Sequence, residues 1–410
     1  MTQRIDTVIV GGGQAGLATS YCLRQQGRPH IVLERAAQPG SAWCDRWDSF
    51  TLVTPNWTIR LPGAEYQTGD PNGFMPRDEI LGYFRQYVER FNLPIQYGVR
   101  VTAVELLPDG KGYRVTTDGD LYEAMNVVVA TGSFQQPKIP AFNPDFPSLV
   151  TQLHSGQYRN PQGLPPGAAL VIGSAQSGCQ IAEELYKSGR KVYLCVGSAG
   201  RAPRRYRGKD TFDWLNRCGF LDQTVDRLPS PKAKFGANPQ VSGQGGGHSL
   251  NLHQFARDGV TLLGRLRGVR DGKAHLAPDL KENLAGVDRF EVELLKMIDG
   301  YIETNGPDAP KEEVPRLQDG YRSEDILELD LRSAGISTVI WAMGYTFDFG
   351  LVKLPVVDGD GYPMQQRGVA AYSGLYFVGL NWLHKRKSAL LIGVGEDAAY
   401  VASHIAARHG

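Results

Sequence analysis

Runs of β-branched and aliphatic residues alternate with amphipathic stretches along this chain, the rhythm of parallel strands joined by crossover helices. The first run, "DTVIV" (6–10), predicts a fully buried strand. It passes into Gly11-Gly12-Gly13-Gln14-Ala15-Gly16, after which "LATSYCLRQQG" predicts an amphipathic helix ending at Gly27. "PHIVLE" follows as a second short strand closing on Glu34. Strand, glycine turn, helix, strand and terminal acid fall within about 30 residues, as a dinucleotide-binding βαβ unit requires.

Far downstream, "AALVIGSAQSGCQIAEELYKSGRKVYLCV" repeats the plan. It predicts a strand to Ile172, the turn Gly173-Ser174-Ala175-Gln176-Ser177-Gly178, a helix to Ser188 and a strand over 191–196. Two further strand-x-x-Gly segments, "MNVVVATGSFQQPKIP" (125–140) and "STVIWAMGYTFDF" (337–349), read as partners of the first unit. The tail predicts a strand to Gly379, a linker, and a helix starting near Gly393 or Gly395. The expected architecture is α/β, with two Rossmann-like dinucleotide-binding domains. The first is discontinuous, over 1–160 and 336–410, and the second, with an enlarged insertion, is inserted at 161–335. Seams are expected in the Pro/Gly-rich 160–167 and near 331–337. The insertion (205–330) holds a Gly-rich loop at 242–249, a helix over 279–304 and a polar loop after it.

The turns carry specific chemistry. In the first, Gly11 allows the tight turn, Gly13 lets backbone N–H groups reach a pyrophosphate, and Gly16 lets the helix pack on the strand; Gln14 and Ala15 complete it. Glu34, with Arg35 beside it, is placed to accept hydrogen bonds from a ribose diol. In the second, Gly173, Ser174, Gln176, Ser177 and Gly178 are the counterparts, and Ala175 replaces the middle glycine. The second strand lacks a terminal acid and runs into Arg201, Arg204, Arg205 and Arg207. Arginines without an acid favour a 2′-phosphate through charge-assisted bonds, so this half reads as NADPH rather than NADH. A solvated basic loop is the alternative.

Composition narrows the classes. With 49 glycines in 410 residues, chance alone gives about 0.7 matches to G-x-G-x-x-G, so only the ordered context makes the turns meaningful. Lys plus Arg number 44 against 43 Asp plus Glu, which argues against nucleic-acid binding through bulk positive charge. No apolar run approaches the roughly 20 residues of a membrane span, and "MTQR" leads straight into a strand with no signal-peptide core, so a cytoplasmic protein is expected. Cys22, Cys44, Cys179, Cys195 and Cys218 include no C-x-x-C, which argues against a disulfide scaffold, a zinc knuckle or a dithiol redox centre. His248 and His253 have no cysteine or carboxylate at ligand spacing, and no metal is expected.

Taken together, these features resemble two-dinucleotide-binding-domain flavoproteins, and within them the flavin-containing monooxygenases with their bacterial and plant (YUCCA-like) relatives. "GGGQAG" matches the family's FAD turn; "GSAW" (40–43), ending at Trp43, looks like its G-G-x-W. Ala130-Thr131-Gly132 resembles its A-T-G hinge, and "WAMGY" (341–345), holding Gly344, is similar to its A-T-G-Y. The fingerprint F-x-G-x-x-x-H-x-x-x-[FYW] is kept only at His154 and Tyr158, with Ser148 and Val150 where Phe and Gly would fall. Tyr158 resembles heteroatom-oxygenating members more than Baeyer–Villiger enzymes. The insertion is similar to that of flavin-dependent oxidoreductases encoded in bacterial nitrilase-type gene clusters.

The resemblance implies FAD on the discontinuous domain and NADPH on the inserted one. It also implies a flavin C4a-(hydro)peroxide, formed with O2, that oxygenates a small-molecule substrate at a heteroatom. Baeyer–Villiger oxygenation, an oxidase or reductase without oxygen insertion, and a non-catalytic NADPH-sensing or partner-binding flavoprotein remain alternatives. Asn56 is placed near the flavin, where its amide would donate without titrating, against the plainer role of a turn residue after Pro55. Trp43 and Trp47 are read as packing near the flavin or in the core. Gly379 ends a strand, and the helix from Gly393 would aim its positive end at the flavin. His154 is a linker or a structural group. Lys385-Arg386-Lys387 is a solvated loop or a substrate-anion site, and Arg60 and Arg77 flank the Asn56 segment. A homo-oligomer is compatible with the sequence, which does not set the oligomeric state.

Overall fold

The computed structural model describes residues 2–67, 69–306 and 308–408; Met1, Thr68, Pro307, His409 and Gly410, which the expected domain ranges take in, lie outside the described residues. In chain order the elements that build the site are β1 (Thr2–Val10), α1 (Gln14–Gln25), β2 (His30–Glu34), β3 (Leu121–Val129), β4 (Thr151–His154), β5 (Ala168–Ile172), α2 (Gln176–Lys187), β6 (Val192–Cys195), β7 (Thr261–Leu263), α3 (Leu280–Asn305), β8 (Ile336–Trp341), β9 (Leu375–Phe377) and α4 (Val394–Ala407).

Two main sheets result, the first with a parallel centre and antiparallel additions, the second wholly parallel. In the first, β9, β3, β1 and β2 lie side by side, with Val10 opposite both Leu33 and Val129. The second runs β4-β8-β5-β6-β7, all parallel. Strands read as unbroken apolar runs because both faces are covered. Val8, Val10, Val127 and Val129 fill one side, while Ile9 and Val128 face the side where Leu17 and Ala18 of α1 meet Val401 of α4. That second cluster continues through Ala169 and Val171 of the other sheet and Ile181 of α2, so one apolar core links the two. No helix among the described residues is long and apolar enough to cross a membrane.

The sequence misplaces one strand. Ser337–Trp341 was expected beside the first unit, but β8 pairs with β4 and β5 in the second sheet. The strand-x-x-Gly pattern fits either sheet, and long-range pairing alone decides between them. Thr151–His154 likewise belongs to the second sheet, outside the expected 161–335. The crossings therefore fall on two hinge segments, one leaving β3 and one leaving β8. They run antiparallel where Tyr345 faces Pro137 and Thr346 faces Gln136.

Candidate functional site

The glycines of the first turn are there for contact distance. Gly11 has φ +109°, and a Cβ on it would stand 2.7 Å from the Ala130 carbonyl oxygen. A Cβ on Gly16 would collide with the Gly11 carbonyl, whereas one on Gly13 meets nothing within 4 Å and faces open space. Gly11 and Gly16 thus hold the strand–helix corner, and Gly13 leaves open space at the helix N-terminus. Glu34 is buried; one carboxylate oxygen accepts from Gly12 N at 2.6 Å and the other from Ala36 N at 2.8 Å. Each oxygen keeps a further acceptor position.

The second turn repeats these contacts. Gly173 has φ +104° and would meet the Ala342 carbonyl at 2.7 Å, and a Cβ on Gly178 would collide with the Gly173 carbonyl. Ser174 Oγ accepts from Gly197 N at 3.0 Å, tying the turn to the end of β6. Gln176 donates to the Val241 carbonyl and accepts from Val241 N, so its amide pins the insertion to α2.

Both turns open on one cleft of about 1760 Å³. Gly11, Gly13, Gln14 and Ala15 line it from the first domain, with Glu34, Arg35 and Trp43. Gly173, Ser174, Gln176 and Ser177 line it from the second, and Ala130, Thr131, Gly132, Gly344 and Gly379 from the hinges and β9. Gly16 and Gly178 lie beneath the turns as packing residues. Gly393 caps α4, and a Cβ there would collide with the Lys387 carbonyl. Leu391 and Ile392, just before it, reach the cleft.

His154 locks the hinge. It is buried; Nε2 donates to the Gly344 carbonyl at 3.0 Å, Nδ1 accepts from Gly156 N at 3.2 Å, and Tyr345 stands edge-on at 4.6 Å. Burial lowers its pKa, opposed by the Gly344 hydrogen bond and aided by Arg46, which favours the neutral ring that the Gly156 contact requires. Tyr158 is buried and donates to Glu184 at 2.8 Å. His248 bonds Glu183, and His253 bonds Asp288.

Four expectations need correction. Asn56 does not line the cleft: its Nδ2 donates to the Asp70 carbonyl at 2.9 Å and its Oδ1 accepts from Met75 N at 2.7 Å. The amide is spent on holding the following loop, which is a structural role. Arg201 is 4% exposed and bonded to Asp288 at 2.6 Å and Glu291 at 2.7 Å. Arg204 is 2% exposed, paired with Asp210 at 2.5 Å and bonded to the Val53 carbonyl. Arg205 is exposed but donates to the Gly246 and Gly247 carbonyls. These three arginines brace the insertion instead of facing the cleft. Arg77 pairs with Asp48 and Asp78, and Arg60 donates to the Trp57 carbonyl.

Of the cations that do face the cleft, the sequence singled out Arg35 and Arg386 but not Arg46, Arg265 or Arg267. Arg265 and Arg267 follow β7, beside Gly197 and Ser198; Arg267 makes no ion pair with a described residue. Arg46 stacks on Phe134 at 4.6 Å, and Arg386 also lines the cleft. No local pattern marks Arg46, Arg265 or Arg267, because each reaches the cleft through pairing distant in sequence.

Comparison with known proteins gives a consistent picture. The family model described as pyridine nucleotide-disulphide oxidoreductase matches residues 8–215. A protein named uncharacterized oxidoreductase CzcO-like, from Geobacillus kaustophilus (strain HTA426), is 32% identical over 99% of this chain and 99% of its own. Indole-3-pyruvate monooxygenase YUCCA1 of Oryza sativa subsp. japonica is 29% identical, covering 97% of this chain and 90% of its own. Among solved structures, the flavin-containing monooxygenase from Stenotrophomonas maltophilia superposes with a TM-score of 0.69 at 22% identity, over 100% of both chains, which shows the shared fold.

Proposed function

Belonging to the pyridine nucleotide-disulphide oxidoreductase family, and within it to the flavin monooxygenase-like proteins, the chain is an oxidoreductase, and we propose that it uses FAD, NADPH and O2 to oxygenate a small-molecule substrate at a heteroatom. The observation that carries this reading is the pair of equivalent glycine turns facing one cleft in a chain whose five cysteines are all free. Electrons delivered to a flavin here meet no C-x-x-C dithiol of the chain, which supports O2 as their acceptor.

The residues fit both cofactors. The open side of Gly13, the buried Glu34 carboxylate and the cleft volume suit an FAD on the first turn. Ser133 Oγ, Arg46 Nε and Gln180 Oε1 belong to cleft-lining residues and are buried without a hydrogen-bond partner among the described residues, which suits a polar ligand lying against them. FAD, when bound, supplies hydride acceptance and oxygen activation. The chain supplies the rest. The α1 and α2 N-termini offer amides to the two pyrophosphates. Glu34 would hold the ribose of the first cofactor, while Arg265, Arg267 and Ser198 would receive the 2′-phosphate of NADPH in place of the buried Arg201 and Arg204. Trp47, Phe50, Leu52 and Leu391 wall off water on the first-domain side. A cytoplasmic location belongs to the same reading.

The test uses the FAD-loaded protein with NADPH, O2 and simple thioether and tertiary-amine probes, methyl phenyl sulfide and N,N-dimethylaniline. Oxygenase activity predicts ¹⁸O from ¹⁸O2 in the sulfoxide or N-oxide. Hydrogen peroxide equal to the NADPH consumed, with no labelled product from any nucleophile, would establish the oxidase alternative.

A further inference from the structure

The Lys385-Arg386-Lys387 triplet divides its charges unequally. Lys385 bonds Asp222 and Glu396, each at 2.9 Å, and Lys387 bonds the same two carboxylates at 2.9 and 2.5 Å. Two cations and two anions thus neutralise one another. Arg386, between them, pairs with no carboxylate among the described residues, and its one side-chain hydrogen bond is a long 3.5 Å donation to Gln223 Oε1. Its Nε is buried and unbonded. Burial lowers the guanidinium pKa to about 10, leaving it charged at neutral pH.

What holds this charge is a built cradle. Phe220 covers one position at 4.0 Å from the guanidinium carbon, and Trp382 another at 4.5 Å. Stacking of this kind stabilises the faces of the cation and leaves its N–H edge to a planar acceptor. Trp382 adopts φ +57°, a left-handed conformation costly for a bulky residue and kept only where the surroundings enforce it. The backbone is fixed as well. Arg386 N donates to the Gln223 carbonyl at 2.9 Å and Lys387 N to the Leu221 carbonyl. Ser388 Oγ accepts from His384 N and Lys385 N while bonding Asp397 of α4. Arg386 lines the cleft together with Phe212, Leu215, Phe220 and Leu390, an apolar wall around one unneutralised cation.

We propose that Arg386 binds the carboxylate of the substrate, which is therefore a small organic acid whose apolar body lies against Phe220, Leu215 and Leu390. This substrate class rests on the monooxygenase reading above. The planar fork matches a carboxylate through two parallel hydrogen bonds, and the apolar wall excludes the water that would otherwise weaken them.

The experiment titrates the FAD-loaded protein by calorimetry with (phenylthio)acetate and with (phenylthio)acetamide, which differ only in the anionic group. The wild type should bind the acid at least ten-fold more tightly than the amide. Arg386→Gln should level the two while leaving FAD content and NADP⁺ affinity unchanged. Arg386→Lys, which keeps the charge without the fork, should retain part of the preference and covers the case in which the glutamine variant does not fold. Equal binding of acid and amide by the wild type would overturn the proposal. So would a loss of NADP⁺ affinity in Arg386→Gln, because the guanidinium would then serve a cofactor phosphate. Tight, Arg386-dependent binding of the acid without its oxygenation would instead sink the monooxygenase reading and leave the anion site standing.

Discussion

Asp397, in the first turn of α4, is 2% exposed and has one carboxylate oxygen without a partner among the described residues. Burial raises its pKa from 3.8 to about 6. An acid whose folded-state pKa lies above its unfolded value binds extra protons on folding. Its contribution is most favourable below about pH 4 and is lost as the pH rises through about 6. The penalty above that window is on the order of 3 kcal/mol. Asp397→Asn should therefore melt higher than the wild type at pH 8 and show a flatter profile between pH 4 and 7 by scanning fluorimetry. The arginines give a second contrast. Arg201→Ala strands two carboxylates and should cost about 3–5 kcal/mol in denaturant unfolding, with no change in the preference for NADPH over NADH. The Arg265→Gln/Arg267→Gln double variant should do the reverse, losing ten-fold or more of that preference at nearly unchanged stability. At this scale the sequence reveals residue types but not partners. "RAPRR" reads as a phosphate cluster until the acids of α3 and Asp210 are seen to claim it, and Asn56 reads as a catalyst until Met75 and Asp70 take both ends of its amide.

Elements were far more legible, because periodicity is local and these strands and helices obey it. The 279–304 helix appears as Leu280–Asn305, the helix expected to run to Ser188 after the turn at 173–178 appears as Gln176–Lys187, and the C-terminal helix, expected near Gly393 or Gly395, starts at Val394 with Gly393 as its cap. The glycine turns were legible for the same reason, since strand, turn and helix are contiguous. Each turn offers a separable test. Gly16→Ala and Gly178→Ala both drive a methyl group into a carbonyl oxygen, at a cost of about 1–3 kcal/mol or more. Gly16→Ala should be purified with depleted flavin, read from visible absorbance. Gly178→Ala should keep its flavin and lose NADP⁺ affinity in calorimetry. Equal loss of both ligands in each variant would contradict the assignment of one cofactor to each turn.

For the whole molecule, the sequence conveyed two dinucleotide folds but not where they join. β8 carries the same signature as β3, and only its pairing with β4 and β5 assigns it to the second sheet. The joining of both turns into one cleft was illegible too, since it depends on two hinge segments clasped by His154 and Gly344 across 190 residues of chain. That shared cleft would let electrons pass from one bound cofactor to the other and on to O2. The most direct measurement is anaerobic reduction of the FAD-loaded protein by NADPH, followed by rapid mixing with oxygenated buffer in the presence of NADP⁺. Reduction should be faster with NADPH than with NADH, and reoxidation should pass through a spectral species distinct from both reduced and oxidised flavin. Reoxidation in a single phase, with one hydrogen peroxide released per flavin and no such species, would contradict the monooxygenase reading.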